Sequence, residues 1–173
     1  MSCNLTTDPA KLTTDRLILR SWTSEEAAAV LGDRRQADWA DDFPSENDKV
    51  IPALFAEHPA WLGPYGQRLI VERATGLVVG GIGLFWPPKD GQLEIGYGIV
   101  ASRRGQGFAA EATRALTEFA LAVPEIHTIY ANVELANPAS VRVLETAGFD
   151  LAGQSRGPEG EHLARYRAVA DRR

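Results

Sequence analysis

The sequence predicts an α+β domain built around a mixed β-sheet, and three features of the chain indicate it. Two strand-like segments, 67–73 and 77–86, are joined by the short turn 74–76, which is typical of an antiparallel hairpin. A long helical segment, 107–123, is followed directly by the strand-like segment 128–135, which indicates a βαβ crossover between parallel strands. The 173 residues, 45% of them hydrophobic, suffice for one domain with its own core.

The N-terminal part of the chain is predicted to contain one strand and two helices. Residues 14–22 show the period-two alternation of apolar and polar side chains that a strand requires. Thr23 and Glu26 have capping-box spacing and predict a helix that continues to about residue 31. A second helix is predicted over 45–57, with Pro52 inside it as a point of restriction or bending.

The C-terminal part continues the mixed pattern. Asn137 followed by Pro138 predicts a helix start, because Asn is a favoured cap and Pro a favoured first helical residue. The remaining predicted elements are strands over 92–100, 128–135, 149–155 and 161–168, and helices over 107–123 and 137–148. No linker divides the chain, so residues 1–173 are expected to form a single domain, with residues 1–11 as a loose N-terminal segment.

Composition and charge argue against several functional classes. A net charge of −5 and a pI near 5.2 disfavour non-specific nucleic-acid binding. The single cysteine, Cys3, is expected to be a free thiol, and His58, His127 and His162 lack the spacing of metal ligands. The N-terminus shows no secretory pattern, and no run of eighteen apolar residues is present, so we expect a cytoplasmic protein without membrane or metal partners.

The strongest local signal is a glycine-containing loop between a strand and the long helix. Gly105 and Gly107 allow close backbone approach to a ligand, and the helix that follows offers free N–H groups and its dipole to an anion. Arg103 and Arg104 add positive charge for phosphate oxygens. Taken alone, the loop is equally consistent with a flexible turn before an ordinary helix. Neither common nucleotide-binding fingerprint is present.

The run Arg104-x-x-Gly107-x-Ala109 resembles the pyrophosphate loop of the GNAT superfamily of N-acetyltransferases. The segments 12–20 and 137–149 are similar to the branch that contains the ribosomal-protein acetyltransferases RimJ and RimL. The likeness extends over roughly residues 12 to 168. It implies the GNAT fold, a mixed and mostly antiparallel central sheet flanked by helices, with the βαβ crossover at the cofactor site. It also implies acetyl-CoA as co-substrate and an amine as acceptor.

The resemblance further implies which residues hold acetyl-CoA. The strand that ends in this region would bind the pantetheine arm by its main chain, and Asn137 would contact the same arm. Gly96 and Gly98 fit a strand approached by a ligand, although a bulge or a crowded sheet would also explain them. The implied cofactor-binding residues are Ile99, Val100, Arg104, Gly105, Gln106, Gly107, Phe108, Ala109 and Asn137.

Glu94 is the candidate general base. Alternation along 92–100 places it on the same face as Gly96 and Gly98, where a carboxylate is costly to bury without a partner or a purpose. Amine acetylation needs a free amine, so a base acting directly or through water is useful. Its position also resembles that of the general-base glutamate in part of the superfamily. The alternative is a residue near the strand end that pairs with a surface Arg or Lys.

Ser140 is the candidate general acid. Many GNAT members use a tyrosine in the helix that begins after Asn137, but the matching place in this chain is Leu144. Ser140, in the first turn of that helix, is therefore the remaining hydroxyl that could protonate the departing thiolate. Both residues also have a purely structural interpretation. Asn137 could be only a helix cap, and Ser140 only a capping or surface serine.

The acceptor side is expected to be shaped by the first two helices and their connection. Aromatic rings among carboxylates could bind a cationic amine there. A solvated acidic loop, anchored in the core by Trp39 and Phe43, explains the same residues. The residues concerned are Asp38, Trp39, Asp41, Asp42, Phe43, Glu46 and Asp48.

We expect direct transfer of the acetyl group in a ternary complex, with an N–H near Ile99 polarising the thioester carbonyl. Cys3 is not near these motifs, so a covalent acyl-enzyme is not expected. Two alternatives remain: a non-catalytic acyl-CoA-binding or regulatory module, and an enzyme that uses a longer acyl donor. The acceptor could be a small molecule or a peptide, and the protein a monomer or homodimer.

Overall fold

The computed structural model describes residues 8–171, which contain eight strands and four α-helices. Short 3-10 helices lie at Pro59–Leu62 and Ala101–Arg103. The strands are β1 (Lys11–Thr13), β2 (Leu17–Ser21), β3 (Gln67–Glu72), β4 (Leu77–Leu84), β5 (Gln92–Ile99), β6 (Thr128–Glu134), β7 (Asp150–Arg156) and β8 (His162–Val169). The α-helices are α1 (Ser24–Leu31), α2 (Val50–Leu54), α3 (Phe108–Leu121) and α4 (Pro138–Thr146).

All eight strands form one sheet in the order β1-β2-β3-β4-β5-β6-β8-β7. Neighbouring strands are antiparallel except β5 and β6, which are parallel and joined through α3. The predicted α+β class, the mostly antiparallel mixed sheet and the βαβ crossover are therefore confirmed. Leu19, Leu69, Leu93 and Ile129 are fully or almost fully buried between the sheet and the helices.

The N-terminal region departs from the predicted boundaries. The strand predicted over 14–22 is present as the shorter β2. Residues 14–16 form a turn to an additional strand, β1, and the Thr14 N–H donates to the Leu17 main-chain oxygen at 2.8 Å in that turn. Lys11, assigned to the loose N-terminal segment, pairs with Arg20 in the sheet. Cys3 lies outside the described residues.

The helix predicted over 45–57 is also shorter in the structure, where α2 covers only Val50–Leu54. The Ser45 hydroxyl donates to the Asp48 carboxylate at 2.7 Å, so these residues close a local turn instead of starting a helix. Pro52 lies in the first turn of α2, where its missing N–H costs no helical hydrogen bond. The helix itself begins two residues earlier, at Val50.

The predicted starts of α1 and α4 are confirmed. Thr23 and Glu26 form the reciprocal capping box at the start of α1. Asn137 caps α4, and Pro138 occupies its first position. No helix among residues 8–171 is long and apolar enough to cross a membrane.

Candidate functional site

Strands β5 and β6 separate near the middle of the sheet and leave an open cleft. Their pairing covers only Gln92–Glu94 against Thr128–Tyr130, although β5 continues to Ile99. A cleft of about 580 Å³, called the large cleft below, lies on this side of β5. Its walls are the end of β5, the loop before α3 and the first turns of α3 and α4; among them are Tyr97, Gly98, Ile99, Arg104, Gly107, Asn137 and Ser140.

The main chain of β5 offers hydrogen-bonding groups to this cleft. The Glu94 main-chain oxygen accepts from Phe85 N–H at 3.0 Å, and Val100 N–H donates to the Val79 main-chain oxygen at 2.9 Å. In an antiparallel pair, alternate residues direct their N–H and C=O groups to the same neighbour. The groups of Ile99 and of the other odd-numbered residues therefore face away from β4, towards the gap left by β6.

The loop before α3 is shaped as an anion site. Gly105 and Gly107 have φ values of 78° and 83°, in the left-handed region that favours glycine. Gly107 is the N-cap of α3, and no side chain accepts a hydrogen bond there, so the first N–H groups of the helix are free of a side-chain cap. Arg103 and Arg104 line the same cleft. These donors suit a pyrophosphate group.

A network that the sequence did not reveal braces this loop from behind. The Arg16 guanidinium donates to the Gln106 main-chain oxygen at 2.7 Å and to Glu111 at 2.7 Å. Glu111 also accepts from the Thr14 hydroxyl at 2.6 Å. Burial alone would raise the pKa of Glu111, but the hydrogen bonds from Thr14 and Arg16 outweigh it and lower that pKa. Arg16 also lies 4.7 Å from the centre of the Phe108 ring.

A second brace comes from the predicted acidic loop. Asp42 accepts hydrogen bonds from the Ser102 N–H and hydroxyl, both at 2.8 Å, and the Ser102 N–H contributes most to the lowered pKa of this carboxyl. Asp42 thereby ties the acidic loop to the turn before Arg103. Trp39 and Phe43 are buried, so the interpretation of a loop anchored in the core by two aromatic rings is confirmed.

The start of α4 forms the opposite wall of the large cleft. The Asn137 side-chain oxygen accepts from Ser140 N–H, and its amide nitrogen donates to the Ser140 hydroxyl, both at 3.3 Å. Leu144, which stands where the resemblance implies a tyrosine, is fully buried. A phenol is nevertheless present, because the Tyr97 hydroxyl donates to the Ser140 main-chain oxygen at 3.2 Å.

Tyr97 is a candidate that sequence reasoning missed. Burial raises the pKa of its hydroxyl, more than the hydrogen bond to Ser140 lowers it. Its one sequence signal is alternation, which places it on the same face of β5 as Leu93, Ile95 and Ile99. In the structure it is half-buried and lines the cleft.

Glu94 lies at the end of the paired part of β5, where the strands begin to separate. It is half-buried, and burial raises its pKa despite the opposing attraction of Arg165. It is not among the described residues that line a cleft, and the same holds for Val100 and Gln106. The other predicted site residues meet in the large cleft: Ile99, Arg104, Gly105, Gly107, Phe108, Ala109, Asn137 and Ser140.

A second cavity, called the small cleft below, has a volume of about 230 Å³ and adjoins the large one. Asn47, Tyr97 and Gly98 line both clefts. Gly96, expected from its alternation to face the cofactor, lines the small cleft only. Among residues 8–171, no group of three or more His, Cys, Asp or Glu side chains could hold a metal ion.

The splayed parallel strands and the glycine loop before α3 define the class of protein. A model of the acetyltransferase (GNAT) domain matches residues 16–150. The chain therefore belongs to the GNAT acetyltransferase family, and its fold is the GNAT fold.

Particular relatives narrow the family only a little. The chain is 34% identical over 92 residues to the uncharacterized N-acetyltransferase YjdG of Bacillus subtilis (strain 168), covering 53% of this chain and 55% of YjdG. It is 28% identical over 148 residues to the uncharacterized N-acetyltransferase YoaA of the same strain, covering 82% and 84%. The match thus spans little more than half the length of YjdG.

Solved structures show the same architecture. A GNAT-family acetyltransferase from Bacillus anthracis superimposes with a TM-score of 0.69 at 19% identity, covering 94% of this chain and 99% of that one. RimL, a ribosomal alpha-N-protein acetyltransferase solved in complex with coenzyme A, gives 0.66 at 19% identity, covering 91% and 96%. At these identities the likeness shows the fold.

Proposed function

We propose that this protein transfers an acetyl group from acetyl-CoA to a primary amine. The observation that carries the proposal is the large cleft, where a strand with unpaired main-chain groups leads to an uncapped helix N-terminus. An extended thioester with a pyrophosphate needs these two features in this order. Family membership supports the same chemistry.

The residues of the large cleft fit acetyl-CoA. The N–H groups from Arg104 to Ala109 would hold the pyrophosphate, and the positive φ of Gly105 and Gly107 leaves them free to do so. The main chain of β5 up to Ile99 would hold the pantetheine arm. The acetyl end would then lie near Tyr97 and Gly98, where the two clefts meet.

We propose that Glu94 takes the proton of the acceptor ammonium through a water molecule, since its side chain lies outside both cleft walls. The free amine then attacks the thioester carbonyl, whose oxygen is polarised by an N–H of β5 near Ile99. The carbon–sulfur bond breaks, the attached nitrogen gives up its second proton, and a hydroxyl of the cleft relays that proton to the thiolate, so the hydroxyl ends the step protonated. Ser140 and Tyr97 are the two candidates for that donor.

We propose two classes of acceptor. The shared fold with RimL supports a protein N-terminus as one acceptor, and a small-molecule amine is the other. Assignment to the RimJ/RimL branch and to the cytoplasm belongs to the same proposal.

The test combines calorimetric binding of CoA with thiol release from acetyl-CoA in the presence of a panel of primary amines. We expect CoA binding and amine-dependent thiol release, with acetyl-CoA preferred over longer acyl-CoAs. Tight CoA binding without turnover across the panel would instead identify a non-catalytic acyl-CoA-binding module. A preference for longer chains would identify a different acyl donor.

A further inference from the structure

The small cleft lies against the face of β5 that carries Gly96 and Gly98. Few side chains project from its floor, because Gly98 and its register partner on β4, Gly81, are both glycines. A Cβ added at Gly98 would meet no atom within 4 Å, so this part of the floor is open. Since Gly98 also lines the large cleft, a group held here lies beside the proposed position of the thioester.

Asp48 differs from the other acidic residues of the loop before α2. Asp41, Asp42 and Glu46 are exposed, whereas Asp48 is only 8% exposed and lines the small cleft. Ser45 donates two hydrogen bonds to it, from N–H at 2.9 Å and from the hydroxyl at 2.7 Å, and both go to Oδ2. No described hydrogen bond or ion pair reaches Oδ1.

The free oxygen of Asp48 points to the floor of the small cleft. Oδ1 lies 3.2 Å from the place that a Cβ would take at Gly81. Gly81 and Gly98 are paired Cα atoms in an antiparallel ladder, so they are roughly 4.5–5.5 Å apart. This carboxylate oxygen is therefore about one strand spacing from the junction of the two clefts.

We propose that the small cleft is the acceptor site and that Asp48 Oδ1 accepts a hydrogen bond from the reactive ammonium of the acceptor. This assignment rests on the proposed function. A buried carboxylate without a cationic partner is costly, and an ammonium in the cleft supplies that partner. Burial raises the pKa of Asp48 above its usual value even though the bonds from Ser45 lower it, as expected of a carboxylate that lacks such a partner.

The walls of the small cleft also define the class of acceptor. Asp48 contributes the one carboxylate among the described residues that line it, while Trp22, Ile51 and Phe85 supply apolar surface. Arg68 also lines this cleft, but its guanidinium donates to the main-chain oxygens of Leu19, Pro9 and Pro64. One carboxylate suits one ammonium group, and the volume of about 230 Å³ suits a compact carrier. The acceptor is accordingly a primary monoamine on a small apolar or aromatic group, and not a polyamine.

The first test compares Asp48→Asn with Asp150→Asn, the same change at an exposed position of β7 that lines neither cleft. The probes are benzylamine and spermidine, with acetyl-CoA saturating. We expect wild-type kcat/KM to be higher for benzylamine. Asp48→Asn should raise the KM for benzylamine about tenfold or more, because a charge-assisted hydrogen bond is lost. CoA affinity should not change, and Asp150→Asn should behave as wild type.

A second variant keeps the Asp48 carboxylate but blocks access to its Oδ1 atom. Gly81→Ala places a methyl group against Oδ1, and Gly153→Ala is its control, because a Cβ at Gly153 meets no atom within 4 Å. We expect Gly81→Ala, and not Gly153→Ala, to raise the KM for benzylamine. If Asp48→Asn does not fold, as judged by loss of CoA binding, the comparison of Gly81→Ala with Gly153→Ala tests the proposed acceptor site instead.

Three results would overturn the assignment: an unchanged benzylamine KM in a folded Asp48→Asn variant, an unchanged KM in Gly81→Ala, or a wild-type preference for spermidine. Failure of the proposed function itself looks different. In that case the wild-type protein would not bind CoA, or would bind it without acetylating any amine.

Discussion

The two clefts differ in which parts of the chain line them. The large cleft is lined mostly by one stretch of chain from β5 to the first turn of α3, and it offers main-chain groups and glycines. The small cleft has a glycine floor, but its other residues come from segments far apart in sequence, including Trp22, Asp48, Gln67 and Phe85. A ligand common to a family can be held by main chain, whereas a ligand particular to one member requires side chains.

This difference explains why the chain shows its family more clearly than its acceptor. Main-chain donors remain when side chains change, provided that glycines keep the required backbone shape. The acceptor site changes with single substitutions at positions such as Asp48. Variants at the junction and in each cleft can therefore separate chemistry, cofactor binding and acceptor binding.

The largest effect is expected at Glu94, which belongs to neither cleft wall. Glu94→Gln should lower kcat/KM by about 100-fold or more, the usual range for loss of a general base. In the wild type, activity should rise with pH as Glu94 loses its proton, and burial places this rise above the usual carboxyl pKa. In the variant, the rise should disappear from the pH–rate profile.

The matched control is Glu134→Gln, an exposed residue near the end of β6. It should leave the profile unchanged. Glu94 would lose its assignment as base if Glu94→Gln kept the wild-type profile and rate.

The second-largest effect is expected in the large cleft, on the affinity for CoA. Gly107→Ala forces an alanine into φ 83°, which costs about 1–2 kcal/mol and should weaken CoA binding about 5- to 30-fold if the loop relaxes. Gly160→Ala has the same φ, lies in the β7–β8 turn and meets no nearby atom. Both variants should lose similar thermal stability, and calorimetry should find weaker CoA binding only in Gly107→Ala. Equal CoA affinity in the two variants would remove the loop from the cofactor site.

Sequence was sufficient where the determinants are local. The capping box of Thr23 and Glu26, the Asn137 cap and the hairpin turn before β4 are set by residues a few positions apart, and all are confirmed. The glycine loop is local in the same way. Its anion-binding shape follows from Gly105 and Gly107 together with the start of α3.

Sequence was insufficient where distant segments meet. Arg16 and Glu111 are 95 positions apart, and no pattern along the chain indicates that they brace the loop together. Tyr97 alternates correctly for a buried face, but the separation of β5 from β6 opens that face to a cleft. The length of α2 was missed because residues 46–49 form a turn closed by Ser45 and Asp48, and the helix begins only at Val50.

A smaller effect should decide which hydroxyl protonates the departing thiolate. Tyr97→Phe keeps the ring and removes the hydroxyl, and Ser140→Ala removes the other candidate while Asn137 remains. We expect Ser140→Ala to lower kcat by about tenfold, below the usual range for acid catalysis because a thiolate is a good leaving group. Tyr97→Phe should have the smaller effect. The reverse order, measured at saturating acetyl-CoA, would transfer the role to Tyr97.

The smallest effect is expected behind the loop, at Glu111. Glu111→Gln should lower the free energy of unfolding at pH 7 by about 1 kcal/mol and weaken CoA binding two- to threefold, roughly the value of one hydrogen bond to a charged group on a partly exposed pair. The pKa of Glu111 is lowered by folding, so its stabilisation is present above the unfolded pKa and is lost as pH falls through the folded one. The stability difference between variant and wild type should therefore narrow below about pH 4.

The control is Glu46→Gln, which breaks only the exposed pair with Lys49. It should change stability by less than about 0.5 kcal/mol and leave CoA binding unaltered. A Glu111→Gln variant with wild-type CoA affinity would mean that the large cleft keeps its shape through its own glycines, without support from Thr14 and Arg16 in the β1–β2 turn.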